Sequence, residues 1–318
     1  MECCPPNHDF TSPPYFITLL TIVHLQVNGS QIADKAYPWD VRNPPAPANG
    51  HDLPNSNAVG CWRAHSNVWS HIISSGISSA LILEDDADFS VGIRDIMEGI
   101  SQHLGNITGA RNGEPYGIVD GKSWDLLSLG ACGHRMPDPK TNPKAAAMLR
   151  TWVDPWAPDN DQFVKGFYSG DPNDRVRMLT ISKGFACTQG YAVTREGAMR
   201  LLYLVGGQGH PLNAPMDLLL YRQMSEGLIK GFLAAPDVVA QWKVGDWRDT
   251  DISPTSGNGK GSGRSIIRSV REEIMQMLGN RNVWEEIENG GAEEVEEGEK
   301  EEEEETKEEG EEEELERK

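Results

Sequence analysis

The chain lacks any run of 18 apolar residues, which excludes a transmembrane helix of ordinary length. The nearest approach, Tyr15 to Val27, has 13 residues and contains His24. It has the length of a signal-peptide core, yet Met1 to Pro14 offers no Lys or Arg as a basic flank. The segment reads as a buried strand or as an atypical leader over residues 1–26. Cysteine is also scarce: Cys3, Cys4, Cys61, Cys132 and Cys187 are too few and too scattered for a disulfide framework. A basic stripe is absent as well. The formal charge of -20 is concentrated at residues 285–318, where 20 Glu face 4 Lys or Arg. Residues 1–284 then hold 29 acidic and 25 basic side chains, so the body is nearly neutral. Nothing there would displace counterions from phosphates, which argues against a nucleic-acid partner.

What is present is enough for one large domain. Hydrophobic residues make up 38% of the chain, so residues 27–256 can bury a core. Between Cys61 and Ile73, Trp62, His65, Trp69, Ile72 and Ile73 recur at helical spacing and share one face. Ser75-Gly76 ends that helix. Ser79 to Leu83 then reads as a short buried strand that runs directly into Glu84-Asp85-Asp86. A helix over Gly92 to Leu104 and a strand over Trp124 to Leu129 follow. Met136 to Asp174, rich in proline and carrying Trp152 and Trp156, reads as a long loop or lid. A strand near Cys187 to Val193 leads into a helix from Arg195 to Val205, with Thr194 as its cap. A further helix covers Met216 to Glu226. Short buried strands alternating with helices predict an α/β sandwich around a mainly parallel sheet. Residues 257–284 form a glycine-rich linker and an amphipathic helix with Ile266, Val270, Ile274 and Met277 on one face. The Glu-rich tail at 285–318 repels itself and is expected to stay disordered.

Two readings of the acidic cluster stand on spacing alone. Glu84, Asp85 and Asp86 follow a buried strand, at the carboxyl edge where α/β ligand sites lie. Oxygen ligands of this kind select Mg²⁺ or Mn²⁺, while the simpler alternative is an exposed acidic turn. A calcium hand fits worse: counted from Asp86, Val91 stands where Gly is needed and Met97 where Glu is needed. Cys61 and His65 lie four apart on a helix, but no second pair completes a zinc site. His65 is read most simply as a hydrogen-bonded core histidine. Asp217, just after Pro215, is an acid at a helix start that the helix dipole alone would favour. Gly257 to Arg264 is not a phosphate loop, because Lys260 precedes Gly261 and no strand leads into it. The sequons Asn28-Gly29-Ser30 and Asn106-Ile107-Thr108 matter only on a secretory route.

Taken in order, several segments resemble glycosyltransferase family 25. Gly60-Cys61-Trp62-Arg63-Ala64-His65 and the run from Ala80 to Asp88 (ALILEDDAD) are similar to the family's opening motifs. Trp124 to Gly133 is similar to its next strand, which often ends Leu-Gly-His-Cys-Gly; Ala131 departs from that. Thr188 to Ala198, Pro215-Met216-Asp217, Gln241-Trp242 and Asp249-Thr250-Asp251-Ile252 are similar to later motifs. The resemblance implies a GT-A-like fold and inverting transfer of a sugar, galactose foremost, from a UDP-sugar to a glycan or glycoprotein acceptor. It implies Mn²⁺ or Mg²⁺ at Glu84, Asp85 and Asp86, a catalytic base at Asp217 or Asp251, and His65, Gln189 and Tyr191 around the substrates. It suggests a Golgi or endoplasmic-reticulum lumen, or membrane association, although no clear signal or anchor is seen. The family's opening strand and Arg-x-Asp-Arg segment are not found in residues 1–25, which leads to the expectation of a truncation or an incorrect gene model. A catalytically inactive relative acting as a binding or scaffold protein is the alternative, and a cation-buffering role for the Glu tail is a third reading.

Overall fold

A computed structural model describes residues 27–39, 43–46, 54–109, 124–159, 161–207, 210–243 and 266–277. The sequence expectations for the leader, for Asp251, for residues 257–265 and for the Glu-rich tail lie outside these residues. The chain divides into two units, Met1–Ile267 and Arg268–Lys318. In the second, α7 (Val270–Met277) is preceded by Arg268, whose Nε and Nη2 donate to the Glu273 carboxylate at 2.7 Å each. Among the described residues no helix is long and apolar enough to cross a membrane.

Among its described residues, the first unit has three-residue turns at Gly29–Gln31 and Asp34–Ala36 and then α1 (Ser56–Ser74). The Asn55 side chain caps that helix by accepting the Ala58 N–H at 2.9 Å. Val59, Trp62, His65, Trp69 and Ile72 follow at three- and four-residue steps on its buried side, as the spacing predicts. The chain continues through β1 (Ser79–Leu83), β2 (Ala87–Phe89) and α2 (Ile93–Thr108). Next come β3 (Leu126–Gly130), β4 (Gly133–Arg135), α3 (Pro143–Met148), β5 (Arg150–Val153) and α4 (Gln162–Lys165). β6 (Val176–Ser182), β7 (Gly184–Ala186) and β8 (Gly190–Thr194) lead into α5 (Arg195–Leu204). Thr194 caps α5 through the Gly197 N–H at 3.0 Å. Next along the described residues come α6 (Met216–Ser225), β9 (Gly231–Ala235) and β10 (Val239–Gln241).

Six strands form the central sheet in the order β1-β8-β3-β9-β6-β5. Only β3 and β9 are parallel neighbours; every other adjacent pair is antiparallel. The sheet is therefore mixed and mostly antiparallel, which corrects the expectation of a mainly parallel one. Both faces are covered. α1, α5 and α6 pack with Leu126, Tyr191 and Val193 on one side, and α2 packs with Leu127, Leu129, Ala192 and Phe232 on the other. A strand buried on both faces loses its polar alternation whichever way it runs, so β8 reads as apolar as a parallel strand would.

The segment Met136 to Asp174 is also corrected: instead of a loop or lid it carries α3, β5 and α4, and β5 is a strand of the main sheet. Its tryptophans are pinned to α2. The Trp156 indole donates to Asp95 Oδ2 at 3.1 Å, and a Cβ on Gly92 would stand 2.1 Å from its ring.

Candidate functional site

The carboxyl ends of β1, β3 and β9 and the start of β8 meet at one edge of the sheet. Residues from five segments converge there. Glu84, Asp85 and Asp86 leave β1, and β2 pairs antiparallel with β10 just beyond them. That pairing brings Gln241 and Trp242 to the turn: Gln241 Nε2 donates to Asp86 Oδ2 at 2.8 Å, and the Trp242 N–H donates to the Asp86 carbonyl at 2.8 Å. β10 can cross here only because Gly130 lacks a side chain. A Cβ on Gly130 would stand 2.0 Å from the Val239 carbonyl oxygen.

The three acids differ in exposure, and Glu84 and Asp86 have different partners. Glu84 faces inward, where the Thr188 hydroxyl donates to Oε1 and His65 Nε2 lies 3.6 Å from the same oxygen. That last separation is too long for a hydrogen bond but short enough for charge pairing. The other ring nitrogen, His65 Nδ1, is 2.8 Å from the Tyr191 hydroxyl, which also accepts from Trp69 Nε1 at 2.9 Å. Asp85 is exposed and Asp86 half-buried. Among the described residues no three His, Cys, Asp or Glu side chains gather as a metal cage. Of the Glu84-Asp85-Asp86 trio expected from sequence, Glu84 is engaged by His65 and Thr188, and Asp86 by Gln241.

Burial of this network sets its electrostatics. For His65, burial opposes the charged ring, but the neighbouring Tyr191 oxygen, Cys61 and the Glu84 carboxylate outweigh it and hold the imidazolium well above its ordinary value. For Glu84, burial pushes the carboxyl up, and the His65 charge together with the Thr188 hydroxyl more than reverses that. Burial raises the Tyr191 phenol, which stays neutral.

The other expected residues fall as follows. Tyr191 has no exposed surface and sits in the core beneath α1, so it reaches the edge only through His65. Gln189 is half-buried at the edge; its carbonyl accepts the Glu84 N–H at 3.3 Å and its Nε2 lies 3.7 Å from Cys132 Sγ. Asp217 opens α6, where Oδ1 accepts the Leu218 N–H and Oδ2 accepts the Cys187 N–H, each at 2.9 Å. Asp251 lies outside the described residues.

Three features escaped the sequence reading. Cys132 and Cys187 form a disulfide across 55 positions, with Cα atoms 5.4 Å apart. Their spacing alone gave no signal. His134 Nε2 lies 2.8 Å from Asp237 Oδ1, joining β4 to the turn after β9. Thr188, inside a quoted motif but assigned no role, proves to be the direct partner of Glu84.

No family model matches the chain. Individual proteins do. A glycosyltransferase 25 family member of Anopheles gambiae is 26% identical over 179 residues, 55% of this chain and 23% of its own. Procollagen galactosyltransferase 1 of Danio rerio and inactive glycosyltransferase 25 family member 3 of Mus musculus are each 26% identical over 84 residues. Those matches cover 26% of this chain and 12% of each relative. The chain is similar to members of glycosyltransferase family 25. It spans less than a quarter of the length of these curated family 25 relatives.

Proposed function

We propose that the chain carries the donor site of a metal-dependent, inverting glycosyltransferase that moves a sugar, galactose foremost, from a UDP-sugar to a hydroxyl of a glycan or glycoprotein. One observation carries the reading. In a family 25 relative, an acidic turn leaves a buried strand at the sheet's carboxyl edge and is braced from four sides, by His65, Thr188, Gln189 and Gln241. An incidental surface turn has no need of such bracing.

The donor set fits a hard cation only in part. Mg²⁺-type ions are commonly held by one or two carboxylates while substrate phosphates supply further oxygens. Asp85 and Asp86 fit that requirement; Glu84, committed to His65 and Thr188, does not. Bound there, Mn²⁺ or Mg²⁺ would offset charge growing on the departing diphosphate. Glu84 acts instead as the brace that orients the turn. Asp217 is the proposed general base for the acceptor hydroxyl, a role worth roughly 10²–10⁴-fold. Its two N–H bonds fix the carboxylate's orientation, and each oxygen keeps a lone pair for a proton. Asp251 is the second candidate. Gln189 lines the edge beside the turn, and His65 and Tyr191 support it from beneath.

A second reading has its own support, since one of the three relatives bears the name of an inactive member. On that reading the chain binds a nucleotide sugar or glycan without transfer. Incubation with UDP-galactose, Mn²⁺ and a procollagen or glycan acceptor separates the two. Release of UDP with sugar appearing on the acceptor supports the enzyme; UDP binding without transfer supports the inactive relative.

A further inference from the structure

We propose that the Cys132–Cys187 disulfide is the positioning element of this sheet edge, and that ligand binding there requires the bond to be oxidised; the ligand part of this inference rests on the donor-site reading above.

The loop Cys187–Gln189 joins β7 to β8. Among the described residues Cys187 is one of two non-glycine residues in the left-handed region, with φ at 66°. A side-chain-bearing residue there is locally strained and persists only where its surroundings hold it. Two things hold it. Its N–H donates to Asp217 Oδ2 at 2.9 Å, and its sulfur is bonded to Cys132. The partner loop is tied as well, because the Cys132 N–H donates to the Ala186 carbonyl at 2.8 Å.

The next two residues carry the consequence. Thr188 donates to Glu84 Oε1, and the Gln189 carbonyl accepts the Glu84 N–H. Four consecutive residues, Ala186 to Gln189, therefore connect the end of β3, the start of α6 and the acidic turn after β1. The disulfide is the one covalent link in that set. β7 and β8 alone would leave the loop fastened by single hydrogen bonds at a half-exposed edge, where such bonds are weak.

Reduction has a simple balance. A dithiol transfers two electrons and two protons, the Sγ–Sγ bond breaks to give two thiols, and the dithiol becomes its own disulfide. Cys187 is then free to leave its left-handed conformation, and Thr188 moves away from Glu84. The acidic turn loses two of its braces while the sheet core remains.

The test uses the full chain, oxidised or treated with a dithiol, with thiol titration to verify that two thiols have appeared. Hydrogen exchange is read at the Cys187 and Glu84 amides, with β6 as the control. UDP affinity is read in the same samples with Mn²⁺. Reduction should speed exchange at both amides by on the order of tenfold or more, leave β6 unchanged, and weaken UDP binding by about tenfold. The C132S/C187S double variant should reproduce both changes without reductant. Unchanged exchange at the two amides after both thiols titrate overturns the clamp. Faster exchange with unaltered UDP affinity overturns its role in binding. If the oxidised chain binds no UDP at all, the donor-site reading fails, and the exchange measurement still decides the clamp.

Discussion

His65 Nε2 lies 3.6 Å from Glu84 Oε1, so a buried histidine on α1 neutralises the first acid of the turn after β1. The pair joins α1 to the edge where the acidic residues emerge. It also makes stability depend on pH in a defined direction.

His65 titrates in the folded chain well above its ordinary value of 6.5. Its contribution is fully present below that value and is lost as pH rises through the raised one. Glu84 is displaced below its ordinary 4.5, so its contribution is present above 4.5 and lost as pH falls through the lowered value. Both are therefore in force between 4.5 and 6.5. The melting temperature of His65→Gln should lie below that of the parent at pH 6, and the gap should narrow as pH rises past 7. Parallel melting curves across that range would contradict the pairing.

Gly130→Ala tests how β10 reaches the acidic turn. The new Cβ would stand 2.0 Å from the Val239 carbonyl, so β10 or β3 has to shift. Overpacking of this kind costs about 1–3 kcal/mol. Urea denaturation should register that loss. The variant should also bind UDP less well, because Gln241 travels with β10. Retention of full stability would mean that the strands yield without strain.

Asp217→Asn keeps an oxygen that can accept the Cys187 N–H but removes the charge. If Asp217 is the base, turnover should fall roughly 10²–10⁴-fold while UDP affinity stays within a factor of about two. Equal losses in affinity and turnover would instead assign Asp217 to holding the Cys187 loop.

Much of this frame was legible in the sequence. The tryptophan spacing after Cys61, the apolar run from Ser79 to Leu83 and the Thr194 cap each report local physics, and the structure places α1, β1 and α5 accordingly. Strand direction was not legible, because helices on both faces bury β8 throughout and leave it no polar alternation. β5 was hidden in a proline-rich stretch whose Trp152 and Trp156 pack on α2, a contact that no local pattern announces. At the site, the acidic turn was visible but its division of labour was not. Glu84 looks like Asp85 and Asp86 until Thr188, 104 positions away, is seen to hold it.

The most direct measurement is calorimetric titration of UDP-galactose into the parent chain and into Asp86→Asn, with and without Mn²⁺. The substitution removes charge while nearly conserving volume, so the melting temperature should be retained. The account predicts Mn²⁺-dependent binding in the parent and its loss in Asp86→Asn. Binding in Asp86→Asn that matches the parent, or binding in the parent that is indifferent to Mn²⁺, would contradict it.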